Sequence, residues 1–291
     1  MQIHRALAAA AATVVAATGL VACSSDSEGG EITKDSKISV GTTDASKKAW
    51  AAFETVAKDQ GFDLDIVNYS DYTTPNQALE QGELDTNNFQ HLKFLAEYNK
   101  GNGTDLVPIA ATEIVPLALF WKDHDSLDGI EGETVAIPND STNQGRAINL
   151  LVQQDLVTLK QDGLLTPTPA DIDEKASKVK VTPVGAEQTT SAYSEGTPAV
   201  INNSFLERAG IDPTTAVVQD DPNSEEAEPY INVFAVRSEN ADNEALKELV
   251  KIWHTPEVQE AVQEDSKGTS VSVERSPQEL QDILNHLEEE L

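Results

Sequence analysis

The chain has 291 residues, with 50 Asp and Glu against 20 Lys and Arg, and a formal net charge of -30. That balance excludes a nucleic-acid binder, which needs a basic face, and a domain held electrostatically on anionic lipid. A single Cys excludes an internal disulfide and any multi-thiolate zinc or iron–sulfur site, while 39% hydrophobic and 24% charged residues give a globular composition with a substantial core, as one large or two medium domains.

Arg5 precedes an uncharged, Ala- and Val-rich run from Ala6 to Ala22. These are the positive n-region and apolar h-region of a secretory signal, although a run of 17 residues is also the short end of a membrane span. Leu20-Val21-Ala22-Cys23 decides between them, because it resembles the lipobox of bacterial lipoproteins, cut before a Cys that receives lipid. The reading predicts a signal peptide over 1–22 and a flexible tether over 23–36, polar and Gly/Ser-rich after Cys23. Two or more acyl chains of the palmitate type on Cys23 would anchor the protein stably to the extracytoplasmic face of the cell membrane.

From Lys37 onward short β-type runs alternate with helical patterns. Lys37 to Gly41 alternates polar and apolar, Trp50, Phe53, Val56 and Ala57 form a helical stripe, and Leu64 to Val67 is the next strand. Thr74-Pro75-Asn76-Gln77 reads as a helix start. Polar residues after Leu84 suggest the carboxyl end of a strand or an adjoining loop. Strands are expected at Leu106 to Ala110, Leu117 to Trp121, Thr134 to Ile137, Lys178 to Val184, Ala199 to Ile201 and Ile231 to Val236, with a helix over Asn143 to Leu159. Thr255-Pro256-Glu257 and the capping box Ser276-Pro277-Gln278-Glu279 open two closing helices. This alternation predicts an α/β fold with largely parallel sheets. If the apolar run ending at Trp121 and the run starting at Ile231 both cross between lobes, lobe 1 comprises 37–120 plus 235–291 and lobe 2 comprises 121–234, joined by a two-segment hinge.

Three places could carry chemistry. Asn87-Asn88-Phe89-Gln90-His91 is a dense polar cluster around an aromatic ring, at the kind of strand end where α/β folds hold ligands; His91 taken alone reads as structural. No metal is expected, since the five His show no i, i+4 pair. Pro138 to Arg146 follows a strand and opens a helix, offering hydroxyls, amides, backbone N–H groups and a guanidinium, a geometry for a carboxylate or phosphate and equally that of a capped helix with a surface Arg. Asn202 follows a strand, where a turn-forming role is as good a reading. Asn232 sits inside an apolar strand and needs a partner for its amide. A nucleophilic enzyme finds no support: the only thiol is Cys23 and no G-x-S-x-G is present.

Five segments in order are similar to the NlpA/MetQ-type methionine-binding lipoproteins of ATP-binding-cassette importers. They are Ser70 to Asn76, Asn88 to His91, Val135 to Arg146, Ala199 to Asn202 and Glu228 to Asn232. The resemblance spans roughly Ile38 to Lys267 together with the lipoprotein start. It implies a two-lobed periplasmic-binding-protein fold of type II-like architecture, with an amino acid held in the cleft and no cofactor. By the same resemblance Arg146 holds the ligand carboxylate, Asn202 and Asn232 bind its backbone groups, and Phe89, His91 and Tyr72 line the pocket. The implied partners are a small-molecule amino acid, a membrane permease with ATPase subunits, and the bilayer through Cys23. A binding protein for another amino acid, a dipeptide or an oxidised sulfur compound is the alternative, as is a surface-anchored adhesive lipoprotein. The chain departs from the family pattern at Val115-Pro116, where an aromatic is usual. It also places Glu113 two residues earlier, expected to face solvent or to add an acceptor for a more polar or cationic substrate.

Overall fold

The computed structural model describes residues 31–291; the expected signal segment 1–22, Cys23 and the first part of the tether lie outside the described residues. In chain order the elements are β1 (Lys37–Thr42), α1 (Lys48–Asp59), β2 (Asp63–Asn68), α2 (Pro75–Glu80), β3 (Thr86–His91), α3 (Leu92–Asn102), β4 (Val107–Ala111), β5 (Glu113–Ile114) and β6 (Ala118–Phe120). They continue as β7 (Thr134–Pro138), α4 (Ser141–Gln153), β8 (Lys180–Val184), α5 (Thr189–Ser194), β9 (Ala199–Ile201), β10 (Val218–Gln219) and β11 (Asn232–Val236). The last four are α6 (Glu244–Lys251), α7 (Pro256–Ser266), β12 (Val271–Ser272) and α8 (Pro277–Glu290).

Two sheets of five strands form the centres of two lobes, ordered β2-β1-β3-β11-β4 and β10-β6-β9-β7-β8. Each is mixed and not largely parallel as expected. In the first sheet β11 runs antiparallel to both neighbours, β3 and β4. In the second sheet β6 opposes β9. The cause is the route of the chain: it leaves the first sheet after β4 and returns from the second into β11 through a short 3-10 turn, without the α-helical crossover that joins parallel neighbours. Sheet membership also corrects the lobe boundaries. Strand 118–120 pairs in the second sheet and 232–236 in the first, so the crossings are 112–117 and 220–231, not the turns at 121 and 235. The ordered body likewise starts earlier than Lys37: Ile32 packs on the first core, and Ser36 closes a turn onto Thr33.

Strand alternation builds the cores. In β11, Phe234 and Val236 face one layer with Trp50, Phe53 and Trp253, while Val233 and Ala235 face the other with Leu79, Leu92, Leu95 and Leu284. In the second lobe Val135 and Ile137 of β7 pack on Ala147, Ile148 and Leu151 of α4, and Ala136 packs on Phe120 and Phe205. Helix α4 stops at Gln153, short of the expected Leu159, because Asp155 adopts φ 55° and turns the chain although the apolar pattern continues into Leu156 and Val157. Helix α8 begins on the expected capping box, with Glu279 N donating to Ser276 Oγ at 3.3 Å and Ser276 N donating back to the Glu279 carboxylate at 2.8 Å.

Candidate functional site

Between the lobes lies a cavity whose walls come from strand and helix ends. The end of β1 and the start of α1 supply Asp44 and Lys47, β3 supplies Phe89 and His91, and the first crossing supplies Glu113 and Val115. From the second lobe come Asn143 and Arg146 of α4 and the segment Asn202 to Ser204 after β9; Asn232 opens β11. All six residues singled out for the pocket, Tyr72, Phe89, His91, Arg146, Asn202 and Asn232, line this one cavity.

Arg146 is 5% exposed and firmly held. Its Nε donates to Asp220 Oδ2 at 2.5 Å, while Nη2 donates to Asp220 Oδ1 at 3.1 Å and to the Val115 carbonyl at 3.0 Å. The Tyr230 ring lies 4.0 Å from Cζ. The guanidinium is therefore not an open fork: Nε and Nη2 are committed, and Nη1 is left without a protein acceptor among the described residues. Asp220, on the second crossing, is 74 positions away in sequence, and no local pattern marks it as this partner.

Asn143 joins the lobes. Its Nδ2 donates to Asp140 Oδ1 at 2.8 Å, which fixes the amide so that Oδ1 faces the cleft. There Oδ1 accepts from Asn202 Nδ2 at 2.9 Å and lies 3.4 Å from His91 Nε2. His91 caps α3 through Nδ1, which accepts from Phe94 N at 3.1 Å, so the proton sits on Nε2. Burial, reinforced by the nearby Arg146 charge, lowers the His91 pKa to about 3 and keeps the ring neutral. His91 thus caps α3 and lines the cavity at once. With its amide nitrogen bound to Asn143, Asn202 presents Oδ1, which is buried and has no hydrogen-bond partner.

The polar run after Leu84 is the strand β3 itself, all six residues buried. Asn76 and Gln90 exchange two hydrogen bonds of 2.6 Å, and Asn87 donates to Asn76 at 2.9 Å. Asn76, Asn87 and Gln90 therefore satisfy one another, and Phe89 and His91 line the cavity beside them. Tyr72, Phe89 and Phe94 pack at centroid distances of 5.8–6.0 Å, and Tyr72 reaches across to Phe205 at 4.9 Å. Burial pushes the Tyr72 hydroxyl well above the usual tyrosine range, so it stays protonated.

The far end of the cavity is ionic. Lys47 Nζ lies 2.8 Å from Asp44 Oδ2 and donates across the cleft to Asn203 Oδ1 at 2.6 Å. Burial alone would neutralise both partners, but their mutual attraction wins: Asp44 is held below and Lys47 above its ordinary pKa. Glu113 does not face solvent. It lines the cavity and accepts from Trp253 Nε1 at 3.0 Å, and burial raises its pKa against the opposing Trp253 bond and Lys47 charge. Lys47, Asp44 and Trp253 were not legible as site residues, since each is unremarkable in its own segment.

The lobes are closed on one another by further contacts. Lys93 donates to the Leu165 carbonyl at 3.2 Å, Arg208 donates to the Ser70 carbonyl at 3.0 Å, and Lys267 pairs with Asp212 at 2.5 Å. Ser46 also donates to Glu207, and Ser141 to Glu97. Among the described residues no group of three or more His, Cys, Asp or Glu is placed to hold a metal, and no helix is long and apolar enough to cross a membrane.

The sequence matches the NlpA lipoprotein family over residues 38–273. It is 32% identical over 269 residues to the D-methionine-binding lipoprotein MetQ of Escherichia coli K12, covering 90% of this chain and 96% of that protein. Among solved structures, protein PG110 from Staphylococcus aureus superposes with a TM-score of 0.81 at 36% identity, covering 86% of this chain and 99% of the other. A nutrient-binding protein from Burkholderia cenocepacia, solved bound to methionine, superposes with a TM-score of 0.74 at 33% identity, covering 81% and 99%.

Proposed function

Because this chain belongs to the NlpA lipoprotein family, a family of substrate-binding proteins and not of enzymes, we infer that it captures methionine or a related amino acid between its lobes and delivers it to the permease of an ATP-binding-cassette importer. One pairing carries the reading. Arg146, whose Nη1 is a cationic donor with no protein acceptor among the described residues, and Asn202, whose buried Oδ1 has no donor among them, line the same cavity. A zwitterion satisfies both, its carboxylate on the guanidinium and its ammonium on the amide oxygen, and both groups would otherwise stay unpaired at a cost of about 1–3 kcal/mol each. Asn232, at the start of β11, supplies a second amide beside the ammonium. The rings of Tyr72 and Phe89 give the cleft an apolar wall, and His91, neutral, adds a donor without repelling the ammonium. Binding across two lobes favours the closed state, which the permease would then recognise. Acylation of Cys23 would keep the body at the outer face of the cell membrane, within reach of the permease and its ATPase subunits.

Titration calorimetry against an amino-acid panel tests this with Arg146→Lys, which keeps a cation beside Asp220 but loses the fork. Loss of binding of about tenfold or more with an unchanged melting temperature supports the clamp. Binding unaffected by the substitution, or silence of the wild type across the panel, overturns it.

A further inference from the structure

We propose that Glu113 selects the ligand's side chain, so that the cleft favours an amino acid whose side chain ends in a hydrogen-bond donor, an ammonium above all, over one ending in a thioether or methyl group. The inference rests on the amino-acid reading above and adds to it the chemistry of the side-chain terminus. Glu113 is fixed in place: β5 pairs with β12, with Glu113 opposite Ser272. It stands two residues before Val115 in an extended run, so both side chains point to the same side, about 7 Å apart along the chain. The Val115 carbonyl holds Arg146 Nη2, so the carboxylate clamp and Glu113 are tied to the same short run of chain and line the same cavity. A side chain of four heavy atoms in extended conformation reaches about 5 Å from Cα, at roughly 1.2 Å per bond.

The charges at that end do not balance. Asp44 is fully used: Oδ2 meets Lys47, and Oδ1 accepts from Thr42 at 2.8 Å and from Trp50 Nε1 at 2.9 Å. Lys47 is spent on Asp44 and Asn203. Asp265, which also lines the cavity, accepts from Ala49 N at 2.9 Å. Glu113 Oε2 accepts from Trp253, while Oε1 has no protein donor among the described residues. A carboxylate thus borders the closed cleft with one oxygen unanswered and, among the described residues, no second cation at that end to answer it. A thioether leaves that oxygen desolvated and unpaired, whereas an ammonium supplies the donor and the missing charge. The indole walls of Trp50 and Trp253 suit the methylene stem of such a side chain.

Calorimetry with ornithine, 5-hydroxynorvaline, norleucine and methionine isolates the terminus, since all four carry side chains of four heavy atoms. Wild type is expected to bind ornithine at least about tenfold tighter than norleucine, with 5-hydroxynorvaline between them. Glu113→Gln, which can still accept from Trp253, should remove most of that ratio, and Glu113→Leu should reverse it in favour of norleucine and methionine; melting temperatures verify that both variants fold. Methionine or norleucine binding as tightly as ornithine to wild type, with ratios unmoved in Glu113→Gln, overturns the inference and leaves the amino-acid reading standing. Equal indifference of every ligand to Arg146→Lys overturns both.

Discussion

Arg146 and His91 each serve the fold as well as the cleft, and their substitution has measurable signs. Arg146→Ala leaves Asp220, whose side chain is 18% exposed, as an uncompensated carboxylate. The expected loss is about 3–5 kcal/mol in urea unfolding. That penalty is why Arg146→Lys, and not Arg146→Ala, separates binding from stability. His91 carries a pH signature. Its pKa is about 3 in the folded protein against 6.5 unfolded, so the unfolded chain binds the proton first. The stability conferred by the neutral ring is complete above pH 6.5 and is lost as pH falls toward 3, by as much as roughly 5 kcal/mol. His91→Asn retains an N-cap acceptor for α3. Melting curves at pH 7 and pH 4.5 should show a smaller drop for this variant than for wild type.

At the level of elements, legibility followed local signals. The capping box of α8, the Pro-led start of α7 and the strands at 199–201 and 134–138 were readable because caps, turns and apolar runs act within a few residues. Strand β3 was not readable as a buried strand, because six residues rich in Asn and Gln imitate a loop unless their partner Asn76 is known to be close. The same limit applied to the site. Its amides and Arg146 stood out as polar groups beside strands, while Asp220 and the Asp44–Lys47 pair depend on contacts that only the folded chain creates. Two substitutions measure the difference. Ser276→Ala removes a local cap and should cost about 1 kcal/mol. Asn76→Ala leaves both Gln90 and Asn87 short of partners in a dry interior and should cost more, about 2–5 kcal/mol; denaturant midpoints order the two.

For the molecule as a whole, charge dominates. A formal -30 on 291 residues makes the folded body repel itself, so melting temperature should rise as sodium chloride goes from about 10 mM to 500 mM, where the screening length shrinks from ~30 Å to a few ångströms. A flat or falling curve would refute that account. Against this background four of the 20 Lys and Arg sit where the lobes meet: Lys47, Lys93, Arg208 and Lys267 each reach from one lobe to the other. The moorings of Arg146 have a consequence for the order of events. Asp220 and Tyr230 belong to the return crossing and Val115 to the outgoing one, so a parting of the jaws about these crossings would leave the guanidinium near the pivot. His91 and Asn202, bridged through Asn143, lie on opposite jaws and would separate in such a motion. An arriving amino acid would therefore dock its acid end first on a stationary cation, and the swing that follows would bring the remaining contacts to it.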